Sequence, residues 1–222
     1  MPQNLGTVLF GDPFAVMNTI GLVAFALVGS AKAIREEFDL FGIAVVGFAT
    51  AFVGGVTRDL LVNRVPLVLQ SPVEISLGLV GVGLAVVLSV SLSAPDEHSL
   101  TVLSDAIGLA AFATTGAIVA TEAGISAFGI VAIATINAVG GGAFADILMD
   151  RSPFILFDDF YATCAVVGGL SYWVVDSVGV LDGGAAVVCT AVTVTVRLVA
   201  VTHGWSVPSV QSVTSKAANK RR

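Results

Sequence analysis

Residues 50–59 read TAFVGGVTRD, and 87 residues later residues 137–146 read NAVGGGAFAD. In each copy a cluster of glycines interrupts an apolar segment. An ionisable residue follows, which a bilayer resists. Glycine lets a helix kink and lets another backbone approach closely. A charge beside such a break is a functional-site candidate inside a membrane.

The two stretches belong to a longer repeat. Asn18–Leu69 aligns on Asp105–Leu156 without a gap, with roughly 19 of 52 positions identical. Compositional bias matches some Ala, Val and Gly positions. It does not keep Phe25/Phe112, Phe41/Phe128, Arg64/Arg151 and Pro66/Pro153 in register. Capping residues keep step too: Asp39 answers to Ser126, and Ser71 to Asp158.

The apolar runs around the repeat are continuous over about twenty residues, the length that crosses a bilayer as a helix. The chain has 222 residues, 56% hydrophobic and 12% charged, with mean hydropathy +0.96. Soluble domains carry roughly 25% charged residues. The expected fold is therefore an all-α membrane protein with seven transmembrane helices. Spans are expected at about 14–34, 40–62 and 72–92, then 101–121, 125–149 and 158–175, with a seventh at 183–201. Asp12-Pro13 reads as the first N-cap, and Ser71-Pro72-Val73-Glu74 as a capping box with proline at N1. The whole is one transmembrane domain, with repeat 1 at about 14–92, repeat 2 at about 101–175, and a polar tail over 206–222.

Three spans per copy force the second copy to enter from the opposite face. That is an inverted repeat with a pseudo-twofold axis in the membrane plane. Lys32, Arg35, Arg151 and the basic tail fall on one side, which places the N-terminus outside and the C-terminus in the cytoplasm of a multi-pass cell-membrane protein. Net charge is -6, and the acidity lies in the loops. This fits either a high-salt habitat or chance in short loops. Nucleic acid is excluded as a partner, because the only basic cluster is the C-terminal tail. Cys164 and Cys189 lie in separate apolar runs without metal or redox spacing, and read as small core residues.

Thr50, Gly54 and Arg58 share one helix face, and Gly55 and Asp59 the adjacent stripe. Asn137, Gly141 and Ala145, then Gly142 and Asp146, take the same places in the second copy. On one reading these residues line a polar path. The glycines free carbonyls for a cation, Asp59 and Asp146 set cation preference, and Arg58 forms a gate with a carboxylate. On the other, the glycines only pack helices and Arg58 snorkels to the headgroups. Lys32 has lost its repeat mate, which is Val119, and either snorkels or acts as a lipid-binding or gating charge; Arg197 has the same ambiguity. Glu122 reads as a loop residue, His98 and His203 as solvated, and Gly78, Gly81 and Gly83 as a packing face. No nucleotide, metalloprotease or esterase motif occurs, so no enzyme and no bound cofactor is expected.

The run GSAKAIREEFDLFGI, then TAFVGGVTRDLLVNRVP and its echo INAVGGGAFADILMDRSP, resembles the prokaryotic trimeric intracellular cation (TRIC) channels. It also resembles related bacterial membrane proteins with a GGGxxRD pattern, some of which are thought to move glycine. The resemblance covers about 14–201. It implies a homotrimer in membrane lipid with one pore inside each protomer, lined by second and fifth helices kinked at their glycines. It implies passive conduction of potassium and sodium. By position, Gly54, Gly55, Arg58 and Asp59 match the first motif, and Gly140, Gly141, Gly142 and Asp146 the second. Val53 and Ala145 depart from it, which leaves Arg58 as the single candidate gate charge. The alternatives are a secondary transporter of a small zwitterion such as glycine, and a non-conducting scaffold.

Overall fold

The computed structural model describes residues 12–91, 97–156, 160–179 and 183–205. Seven helices run through them: α1 Pro13–Arg35, α2 Leu40–Leu61, α3 Pro72–Ser91, α4 Glu97–Glu122, α5 Ala127–Leu148, α6 Tyr161–Ser177 and α7 Gly184–His203. All but α6, at 17 residues, are long and apolar enough to cross a membrane. The expected all-α fold of seven helices stands. Asp158 and the polar tail lie outside the described residues.

The caps explain where helices begin. Asp12 Oδ1 accepts from the Phe14 amide at 3.0 Å, Asp39 from Gly42 at 2.7 Å, and Ser126 from Gly129 at 3.4 Å. Each satisfies an amide that the first turn leaves unpaired. The exits match as well. The chain leaves α1 and α4 through left-handed residues at Glu37 (φ 60°) and Gly124 (φ 67°), and α2 and α5 at Asn63 (φ 58°) and Asp150 (φ 55°). The amides of Arg64 and Arg151 then close on the carbonyls of Asp59 and Asp146, both at 2.8 Å, which is the six-residue helix-stop ring.

The two halves meet through reciprocal contacts. A side chain at Gly21 would collide with the Phe112 ring, and one at Gly108 with the Phe25 ring. Those rings meet edge to face, 5.0 Å apart. A side chain at Gly54 would strike the Asn137 carbonyl oxygen, and one at Gly141 the Thr50 carbonyl oxygen. Contacts that exchange in this way require a twofold relation between the halves. They also show that the small-residue pairs Gly21/Gly29 and Gly108/Gly116 pack within the protomer.

α4 forms the most buried span, against α1, α5, α6 and α7. α7 covers α6 on one side, while its counterpart α3 keeps a bare apolar face at Leu79, Val80, Leu84, Val87 and Val90. Gly78 and Gly81 pack on Phe48, Phe52 and Ala26, but Gly83 meets nothing within 4 Å. The third glycine of that expected packing face therefore points away.

Candidate functional site: two charged vestibules

The expected break at the glycines is corrected by the helices themselves. α2 and α5 are uninterrupted through Gly54-Gly55 and Gly140-Gly141-Gly142, and none of these glycines has a positive φ. Both helices run on past the glycines. The residues divide by role instead. Gly54 and Gly141 let the two backbones touch. Gly140 would meet only Gly54 Cα, at 3.5 Å. Gly55 and Gly142 leave room for side chains: their nearest neighbours would be Arg58 Nη2 at 3.8 Å and Phe154 at 3.6 Å.

Thr50 and Asn137 sit at this crossing, 2% and 0% exposed. Thr50 Oγ1 donates to its own helix at Val46 O, 2.8 Å. Asn137 Nδ2 ties α5 to α4 through Phe112 O at 2.6 Å and Thr115 Oγ1 at 2.9 Å. Its Oδ1 has no hydrogen-bond partner among the described residues.

On either side of the crossing lies a vestibule. One, of about 400 Å3, is lined by Lys32, Asp146, Asp105, Arg151, Phe154 and Arg197, among others. The second, of about 380 Å3, is lined by Phe14, Arg58, Asp59, Arg64, Leu67 and Val119, among others. Phe14 and Lys32 lie 18 residues apart on α1, so a 1.5 Å rise per residue sets the vestibules roughly 27 Å apart, near opposite ends of a span. Eight of these residues pair at the repeat spacing: Lys32 with Val119, Asp59 with Asp146, Arg64 with Arg151, and Leu67 with Phe154.

Each aspartate does two things at once. Asp59 Oδ2 accepts from the Leu67 amide at 2.9 Å, and Asp146 Oδ2 from the Phe154 amide at 2.9 Å. This ties the turn after the helix back onto it. The other oxygen takes a cation. Arg58 Nε and Nη2 reach Asp59 Oδ1 at 2.8 and 2.7 Å, and Lys32 Nζ reaches Asp146 Oδ1 at 3.2 Å. Arg58 also lies over the Phe14 ring at 5.3 Å, and Lys32 over Phe154 at 4.7 Å. Cations over ring faces gain further attraction, more so where water is excluded.

Two sequence expectations change here. Arg58 is 2% exposed and turns inward, so it does not snorkel. Nor is it the single candidate gate charge. Ala145 removes the second arginine, but Lys32 on α1 supplies the cation from another helix. Lys32 and Arg197 also point inward: Arg197 faces Asp105 at 3.7 Å and stacks on Tyr161 at 4.6 Å. Glu122 is the last residue of α4, not a loop residue, and pairs with Arg64 at 3.3 Å. Arg151 pairs with Glu36 in the same manner at the other end.

Of four further residues of this framework, Glu74 was read only as part of a capping box, and Asn18, Asp105 and Tyr161 were given no role. Asn18 Nδ2 donates to Glu74 Oε2 at 2.8 Å, and Tyr161 Oη to Asp105 Oδ1 at 2.9 Å. Asn18 and Asp105 are repeat mates, as are Glu74 and Tyr161. The bond is kept while donor and acceptor trade helices. The expected capping box is corrected too, because the Glu74 side chain turns to Asn18. The available signal was a polar residue at the same depth of two apolar spans.

The chain was compared with known proteins. A family model described as glycine transporter matches residues 15–90 and again 102–177. A UPF0126 membrane protein of Deinococcus radiodurans is 37% identical over 160 residues, 71% of this chain and 74% of the relative. YvgT, a UPF0126 membrane protein of Bacillus subtilis, is 32% identical over 198 residues, 87% of this chain and 95% of its own. Among solved structures, one from a study of conductance through TRIC cation channels has a TM-score of 0.78 at 35% identity, covering 87% of this chain and 95% of that one. The TRIC trimeric intracellular cation channel orthologue from Rhodobacter sphaeroides has a TM-score of 0.78 at 28% identity, covering 90% and 100%.

Proposed function

The chain belongs to the glycine transporter family and has the fold of the TRIC channels, and on that premise we propose that it is a monovalent cation channel with a path inside each protomer. The path joins the two vestibules across the α2–α5 crossing. The observation that carries this reading is the pairing of the vestibules: each ends at a buried carboxylate whose free oxygen is held by a tethered cation. A carboxylate in a low-dielectric wall attracts a cation strongly. The ammonium of Lys32 and the guanidinium of Arg58 stand where a permeant potassium or sodium ion would be drawn. Both pairs intact, the path is shut; parting either pair exposes its aspartate to the ion. Asn137 Oδ1 supplies a bare acceptor between the two ends.

The similarity to TRIC channels supports a homotrimer in membrane lipid, and the lysine and arginine distribution supports an external N-terminus. Single-channel recording in planar bilayers under a KCl gradient tests the function. Discrete steps with a cation-selective reversal potential, altered by Asp59→Asn and Asp146→Asn, are expected. Unaltered currents in both variants would remove these aspartates from the path.

A second reading has its own support. The matched family is described as glycine transporter, and each vestibule sets a cation beside a carboxylate, the complement of a zwitterion. Saturable uptake of labelled glycine into liposomes, with silent bilayers, would favour it.

A further inference from the structure

We infer that Glu74 is a second, protonatable counter-ion for Arg58, and that Arg58 exchanges Asp59 for Glu74 when the vestibule opens. The inference rests on the channel reading of that vestibule. Glu74 stands in the first turn of α3, 8% exposed, and its side chain accepts from the neutral amide of Asn18. Between Glu74 and Arg58 lies a cavity of about 20 Å3, walled by Asn18, Gly55, Arg58, Asp59, Glu74 and Phe112, among others. That is room for one water-sized species.

The charges facing this cavity do not balance. Asn18 on α1 is neutral, Arg58 and Asp59 on α2 cancel, and Glu74 on α3 is left over. Protonation is the common escape for a buried carboxylate without a cation. In the inferred shut state Arg58 is committed to Asp59 and Glu74 is neutral; once Glu74 ionises, two carboxylates compete for one guanidinium. Arg58 is equipped for the exchange. Its fork carries five donors, Nε and Nη2 both serve Asp59 Oδ1, and Nη1 is buried without a hydrogen-bond partner among the described residues. Gly55 leaves the space beside Nη2 open, its nearest approach being 3.8 Å.

At the place of Glu74 the second repeat carries Tyr161, whose hydroxyl donates to Asp105, and Asp105 has Arg197 at 3.7 Å. The proton control inferred here therefore concerns the vestibule of Asp59. The direction follows. Low pH on that side keeps Glu74 neutral, Arg58 on Asp59 and the path shut; raising the pH ionises Glu74, draws Arg58 away and frees Asp59 Oδ1.

The test combines recording and infrared spectroscopy on the whole reconstituted protein. E74Q keeps an acceptor for Asn18 but cannot ionise. Its open probability is expected to fall about tenfold or more at neutral pH and to lose its pH dependence, with unitary conductance unchanged. E74D should restore the pH response, and R58A should stay open at every pH. Wild-type gating retained in E74Q would overturn the inference. In infrared difference spectra across a pH step, a protonated-carboxyl band that disappears in E74Q and titrates differently in R58A supports it. No such band, or one unmoved by R58A, overturns it. Silence of the wild type in bilayers would sink the channel reading, and the infrared result would still decide the state of Glu74.

Discussion

The Asp59 end and the Asp146 end of this molecule are one design carried out twice with different parts. Both aspartates hold the turn that follows them with Oδ2, at the same 2.9 Å. Both give Oδ1 to a cation. Yet Arg58 comes from the residue before Asp59 on α2, while Lys32 crosses from α1, 114 residues away in sequence. At each end the residue matching the other end's cation is small or apolar: Val119 at one, Ala145 at the other. A buried carboxylate needs a positive charge within a few ångströms, and the field does not depend on which helix brings it. Backbone geometry allowed no such freedom, so the glycines, the left-handed exits and the turn-holding bonds stayed matched.

The comparison can be broken hardest at the buried pair. Arg58→Ala leaves Asp59 without its cation at a site 5% exposed, a change expected to cost about 3–5 kcal/mol. Thermal unfolding in detergent would measure it, and conduction through that vestibule should rise. A smaller loss is expected from Gly54→Ala and Gly141→Ala. In each the new methyl meets a backbone carbonyl that cannot rotate away, at about 1–3 kcal/mol per site. Gly55→Ala and Gly142→Ala meet only ordinary contacts and should behave nearly as wild type. Equal losses at all four positions would show that the division of roles is wrong.

The sharper test is a transplant. Val119 lines the Asp59 vestibule where Lys32 lines the other, so Val119→Lys added to Arg58→Ala should recover about 1–2 kcal/mol, well inside the 0.5–3 kcal/mol range of coupled neighbours. No recovery would mean that the twofold does not govern the charges. Lys32→Ala itself should cost less than Arg58→Ala, because its side chain is 24% exposed and water shares the load. The smallest effect is expected at the rim. Arg64→Ala breaks a pair whose side chains are 44% and 56% exposed, so a change below about 1 kcal/mol is expected.

Much of the fold was legible from residues. The gapless repeat announced two three-helix units, and Asp12, Asp39 and Ser126 cap where expected. Asp59 and Asp146 could be picked out because a bilayer penalises them. The glycine break was misread, since a glycine that kinks a helix and one that admits a neighbour look the same in sequence. Lys32 was visible as an unmatched lysine and Ala145 as a missing arginine. That each explains the other was not visible, because the link is a contact between helices. The Asn18–Glu74 tie was hidden by a capping box that scored well locally.

The solvent, the helices, their starts and the inverted pairing of the halves are legible along the chain. Those follow from hydropathy, capping chemistry and parity, which act along the chain. It took the packed helices to bring Gly54 and Gly141 onto opposing carbonyls, to set Lys32 on Asp146, and to put Glu74 on the wall of the small cavity that Arg58 and Asp59 also line. Those depend on distances between helices, and such distances are set by how side chains of different spans fill the space between them.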